Sequence, residues 1–260
     1  MITDQRISSR SLLRKAFAAI GSIYVPLLLI SSPTLIFALL NSLVNLGSAG
    51  VALNIIYLFC AVPFLSGVMI FYIYRNLTGN QVTVGAAFKQ ANRRLLQLIV
   101  ANIPNFMFWL LMPRLLVFVW EKFSGSRFDL LMCASIPNFM WGLLVLAGGF
   151  IVLMMSVFYV AYRLIFVFYA IVIDNTSALD SFRNSWKLTK SGWWLMCRSM
   201  ILLFFMATVA ILIMLLMENM GLSLVMKPGD IVLKFLFEDV VAVYLVVFYL
   251  NLRDSAATIK

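Results

Sequence analysis

The chain has 260 residues, 63% hydrophobic and 12% charged, with a mean hydropathy of +1.01, a balance that excludes an ordinary soluble globular domain and describes a polytopic membrane protein. Histidine is absent, which removes the commonest metal ligand and general base, and Cys60, Cys133 and Cys197 are too scattered for a disulfide framework or a metal site. The net charge of +10 would suggest nucleic acid for a soluble protein, but beside apolar spans Lys and Arg report topology and attract anionic headgroups.

The N-terminal run MITDQRISSRSLLRKAF is basic, has no small-residue cleavage site before the following apolar stretch, and reads as retained. Within it Leu13, Ala16, Phe17 and Ile20 form one stripe and Arg6, Arg10 and Arg14 another. That pattern suits either a short interfacial helix or a basic stop before the first span. A bilayer core about 30 Å thick needs about 20 helical residues. Six segments meet this length: Ser22–Val44, Val51–Tyr74, Leu96–Trp120, Phe139–Tyr162, Trp193–Met217 and Ile231–Leu252. The expected fold is therefore all-α, a single membrane domain of six transmembrane helices with two or three interfacial amphipathic helices. The fourth apolar run continues past Arg163 to Ile173, too far for one upright span, so it is expected to tilt or project beyond the lipid. Pro26, Pro33 and Pro63 fall inside spans, where neighbouring groups can satisfy the freed carbonyls.

With six spans both termini share a side. Of the 20 Lys and Arg, only Arg114, Lys122, Arg127, Lys227 and Lys234 fall on the opposite side. The positive-inside rule then places both termini in the cytoplasm of a bacterial-type inner membrane; a thylakoid or organellar membrane fits the same pattern.

Two cytoplasmic segments are too short and too charged to span. In TVGAAFKQANRRLL, Val84, Ala87, Phe88, Ala91 and Leu95 share a face while Lys89, Gln90 and Arg93 lie away from it. In SALDSFRNSWKLTK, Leu179, Phe182 and Trp186 are spaced i, i+3, i+7, and Asp180, Arg183, Asn184, Lys187 and Lys190 lie opposite. Ser177 with Asp180 resembles a capping box. Each is expected to lie in the interface, with Trp186, Trp193 and Trp194 at headgroup level. A fixed offset of 94 pairs Phe88 with Phe182, Lys89 with Arg183 and Ala91 with Ser185, a weak parallel repeat covering about 51–120 and 139–217.

The second half also resembles a known family. RLIFVFYAIVIDNTSALDSFRNSWKLTKSGWW is similar to the signature of the glycerophosphoryl diester phosphodiesterase membrane-domain family, at Arg163, Val172, Asp174, Ala178, Leu179, Ser185, Trp186, Leu188, Thr189, Lys190 and Gly192. The ending at Tyr249, Leu250, Leu252 and Arg253 is family-like, with Asn251 at an acidic position, and Tyr169 stands near a proline that this chain lacks. The resemblance implies a six-helix membrane bundle with interfacial helices. It does not imply phosphodiesterase chemistry, which belongs to a separate soluble barrel with His and acidic metal ligands.

Glu238 and Asp239 stand about two turns inside the last span, where an ionised carboxylate is costly unless paired or hydrated. Arg114 lies at comparable depth in the third span, and Lys234 is one turn before Glu238. These four make a polar site for an ion, a proton or a lipid headgroup, or a structural salt bridge between spans; equally, the last span could begin later. The near-identical IPNFMFW (103–109) and IPNFMW (136–141) do not fit the 94-residue offset and read as a kink and a helix start. Two functions follow. The first is a non-enzymatic accessory or scaffold subunit whose basic interfacial helices engage anionic membrane lipids or a membrane-protein partner. The second is a transporter or lipid-handling protein using the intramembrane polar site.

Overall fold

The computed structural model describes residues 9–43, 47–108, 159–161, 163–190 and 223–258, with isolated positions between them. Among these residues the regular structure is helical throughout, with no strand. The helices are α1 (Ser9–Leu43), α2 (Gly47–Ile56), a π turn (Tyr57–Ala61), α3 (Val62–Leu77), α4 (Val84–Arg93), α5 (Leu95–Phe108), α6 (Val167–Ile173), α7 (178–190) and α8 (Ser223–Thr258). Two stretches, Arg14–Ala38 and Gly50–Leu77, are long and apolar enough to cross a membrane. Of the third expected span the described helix α5 covers only residues 96–108, the sixth falls within the helical α8, and the fourth and fifth fall almost wholly outside the described residues.

Helix α1 shows why hydropathy dominates this sequence. Leu12, Ala16, Ile23, Leu27 and Ile30 are buried along one face, against α8 and α3. At about 100° per residue, Val25, Leu29, Ile36 and Leu40 fall on the opposite face, and all four are exposed. A surface helix of a soluble protein would be polar there. Helix α5 repeats the pattern: Leu98, Ala101 and Asn102 are buried, while Leu96, Val100, Ile103 and Met107 form an exposed apolar stripe opposite. Among the described residues the N-terminal segment forms no separate interfacial helix. The N-terminal stripe and the first span are one continuous helix from Ser9, because nothing between Leu12 and Ile30 compels a break: Pro26 is carried inside the helix.

The prolines are absorbed locally. Pro33 has no N–H to give the Leu29 carbonyl, and Ser32 Oγ donates to that oxygen instead at 2.8 Å. Pro63 likewise frees the Phe59 carbonyl, and the helix before it relaxes into the π turn. Asn102 reaches across from α5 and donates to Leu58 O at 3.1 Å and Phe59 O at 3.4 Å. Gly67 allows α3 and α5 to approach: a Cβ there would lie 2.6 Å from Leu98 Cδ1.

The end of the long fourth apolar run lies within the described residues. It turns at Phe166, and α6 goes into the protein core, with Val167 and Tyr169–Ile173 all buried. Phe166 stacks on Phe248 with centroids 5.8 Å apart, and Tyr169 lies 5.6 Å from Tyr249. The surplus length is a core strut joining α8 to α3, which explains an apolar stretch that lipid alone would not require.

Candidate functional site

The two short amphipathic helices form where the pattern placed them. The Thr83 hydroxyl caps α4 by accepting from Ala86 N at 3.4 Å, and the Ser177 hydroxyl caps α7 by accepting from Asp180 N at 3.2 Å. The caps are 94 residues apart. In α4 the shared apolar face is turned into the protein: Ala87 and Ala91 are buried, Val84 and Phe88 half-buried, and Lys89 and Arg93 exposed.

In α7 the inward face differs from the apolar stripe. Ala178, Ser181, Ser185 and Thr189 are buried, and Phe182 and Leu188 are packed beside them. Leu179 and Trp186 are turned outward, 81% and 53% exposed, on the flank next to Arg183, Lys187 and Lys190. The reason is Arg163. Counted by sequence among the flanking basic residues, it is buried instead, and α7 wraps it with small hydroxyls. One guanidinium nitrogen donates to Thr189 Oγ1 at 2.7 Å and to the Trp186 carbonyl, and the other donates to the Tyr159 hydroxyl. The rings of Trp186 and Tyr159 lie 4.5 and 4.7 Å from the guanidinium carbon. Ser185 Oγ returns a bond to the Arg163 carbonyl at 2.6 Å.

The turn after α6 is the second hub. Arg253 donates to Asp174 at 3.2 Å, and the Tyr249 hydroxyl donates to the other carboxylate oxygen. Burial works against the Arg253 charge, but hydrogen bonds to Tyr74 and Asp174 more than offset it and its pKa is raised. Asn175 follows in the left-handed region (φ 53°), which Asn tolerates better than most residues. Its Oδ1 accepts from Arg94 at 3.0 Å, while Arg94 also donates to Gln97 at 3.0 Å.

Between this turn, the end of α3 and α4 lies a cavity of about 210 Å³. Tyr74, Arg75, Gln90 and Asn175 give it a polar side, and Phe71, Val172 and Ile173 an apolar wall. Arg75 sits 5.3 Å above the Phe71 ring, and its Nε is buried without a hydrogen-bond partner among the described residues. Sequence reasoning treated Arg75 as one more topology charge. Its only cue was a lone Arg in the last turn of a span, too common to single it out.

Glu238 and Asp239 are arranged differently from the expected salt bridge with Arg114. Asp239 is buried against α1, where Ser31 Oγ lies 3.4 Å from one carboxylate oxygen; the other has no partner among the described residues. Glu238 is exposed. Arg114 is also exposed and makes no ion pair with Asp239, and the side chain of Lys234 lies outside the described residues. Trp193 and Trp194 lie outside them too. Among the described residues no group of His, Cys, Asp and Glu could hold a metal.

Residues 10–252 match the sequence model of a family described as a domain of unknown function, DUF7847. No curated protein and no solved structure matches the chain.

Proposed function

This chain belongs to the DUF7847 family, and we propose that it is a non-enzymatic integral membrane protein, an accessory or scaffold subunit whose basic end engages anionic lipid. The observation that carries this reading is the pair of helices, α1 and α5, that are apolar on their exposed as well as their buried faces. Contiguous apolar exteriors are rare on monomeric soluble proteins and natural against acyl chains. The sequence pattern of six apolar segments and the resemblance to phosphodiesterase membrane domains support a six-span bundle. At one end, α4 and α7 set Lys89, Arg93, Arg183, Lys187 and Lys190 outward beside Leu179 and Trp186, a combination suited to the headgroup layer of an inner membrane with cytoplasmic termini.

Alkaline extraction of membranes and cysteine labelling test this reading. A Lys187→Cys variant should remain in the membrane pellet and react with an impermeant maleimide in inverted vesicles but not in right-side-out ones. Release by alkali, or labelling of the opposite sidedness, overturns it. The buried Asp239 favours a second reading, a transporter or lipid-handling protein. Asp239→Asn separates the two: a folded variant that abolishes a solute or lipid flux shown by the wild type in proteoliposomes supports transport. Absence of any such flux in the wild type leaves the scaffold reading standing.

A further inference from the structure

The cavity between α3, α4 and the 174–177 turn has donors that no described residue uses. Arg75 brings a guanidinium that faces no carboxylate among the described residues, with its Nε buried and unpartnered. Gln90 makes no hydrogen bond among the described residues, so both amide hydrogens are free for an occupant. Asn175 is oriented by Arg94: because its Oδ1 accepts that bond, its Nδ2 donors are left over.

Among the described residues the unpaired charge around the cavity is positive. Asp174 is the nearest carboxylate to the turn, and it is already engaged by Arg253 and by the Tyr249 hydroxyl. Arg94 is spent on two neutral amides, so its charge adds to that of Arg75. A pocket rich in N–H donors, positive, and closed on one side by Phe71, Val172 and Ile173 matches an anion carried on a carbon skeleton. Arginine's planar fork suits a phosphate's paired oxygens better than a lone halide or a cation.

The geometry points to a binding site for an anionic phosphate ester, with Arg75 holding two phosphate oxygens, Gln90 and Asn175 donating to the third, and the apolar wall receiving the adjoining carbons. A phospholipid headgroup and a soluble phosphate ester share this chemistry. The lipid source rests on the membrane reading above; the anion site itself does not.

The test uses the full chain in detergent micelles, with phosphatidylglycerol, phosphatidylcholine and soluble glycerol phosphate as probes, read by native mass spectrometry and thermal shift. Phosphatidylglycerol is expected to bind and raise the melting temperature, and Arg75→Gln to weaken it at least tenfold. Gln90→Leu, which leaves the arginine in place, is expected to weaken binding at least threefold, so a folding defect at Arg75 does not decide the matter. The double variant Lys187→Gln, Lys190→Gln is expected to lower association with anionic vesicles yet keep pocket affinity within about threefold. Binding of phosphatidylglycerol alone identifies a headgroup site; binding of glycerol phosphate at similar strength identifies a soluble ester. Equal affinity for phosphatidylcholine, no binding of either phosphate probe, or wild-type affinity in folded Arg75→Gln and Gln90→Leu overturns the site. Loss of vesicle association with an intact pocket affinity bears only on the broader membrane reading.

Discussion

Replacing Arg163 by Lys separates two accounts of a basic residue at the end of an apolar run. If Arg163 only marks topology, Lys carries the same charge and nothing changes. The structure requires more. Its guanidinium feeds Thr189 and the Trp186 carbonyl from one nitrogen and the Tyr159 hydroxyl from the other, between two aromatic rings. A lysine has a single nitrogen and no planar fork, so at least one of these partners loses its donor. A lost hydrogen bond to a charged group costs about 1.5–3 kcal/mol. Weakening two ring contacts adds about 0.5–1 kcal/mol. The expected loss is therefore about 2–4 kcal/mol, which at about 2–4 °C per kcal/mol is a fall in melting temperature of about 5 °C or more. Thermal unfolding of the purified protein in micelles, followed by intrinsic fluorescence, measures it. Adding Thr189→Val to Arg163→Lys should cost less than the two singles together, since both remove the same bond. Co-melting of Arg163→Lys with the wild type refutes the buried-hub account.

Two further substitutions probe the packing of α3 against α5. Asn102→Leu leaves the Leu58 and Phe59 carbonyls without their donor beside Pro63 and should destabilise by about 1–3 kcal/mol, read in the same unfolding experiment. Combining it with Pro63→Ala, which restores an N–H to Phe59 O, should recover part of the loss; no recovery would detach Asn102 from the proline. Gly67→Ala places a Cβ 2.6 Å from Leu98 Cδ1, inside a buried contact, and should cost about 1–3 kcal/mol. Leu98→Ala in the same chain makes room, so the double variant should melt above the sum of the two singles.

Much of the local architecture was readable because it rests on short-range rules. Ser177 with Asp180 announced α7 by cap chemistry, and Ala87, Phe88 and Ala91 gave the apolar face of α4 by spacing alone. In α7 the side facing the protein is the small hydroxyl face rather than the most apolar one, and Leu179 and Trp186 are left outward. What settles a face is the neighbour, and the neighbour here is a buried cation from a different helix. Ser181, Ser185 and Thr189 at i, i+4, i+8 were the available cue: small residues in register allow close approach. The cavity was invisible for a related reason. Arg75, Gln90 and Asn175 come from three elements, and only the fold of the 174–177 turn brings them together. The expected Arg114–Asp239 pair failed because similar depth in two helices fixes neither helix's rotation.

The offset of 94 residues gives the Arg163 hub a counterpart from which its cost can be measured. Ninety-four positions before Arg163, Ser185 and Thr189 stand Met69, Ala91 and Leu95, all apolar, with Ala91 buried and Met69 half-buried against the core. The polar and apolar sets are each self-consistent: a guanidinium needs acceptors beside it, and a thioether does not. Replacing a buried charge cluster by well-matched apolar groups is often neutral or stabilising, whereas removing one member strands the others. Arg163→Met alone leaves Thr189 and the Tyr159 hydroxyl without that donor and should lower stability by about 2–3 kcal/mol. The triple variant Arg163→Met, Ser185→Ala, Thr189→Leu imports the whole apolar set and should melt at least as high as Arg163→Met. The same denaturation series in micelles decides it, with Met69→Arg as the reciprocal change, expected to unfold the protein because no hydroxyl faces it from Ala91 or Leu95. A triple variant markedly less stable than the single, or a Met69→Arg chain as stable as the wild type, would mean that the two halves do not share a packing scheme, and the spacing of 94 would then be a coincidence of composition.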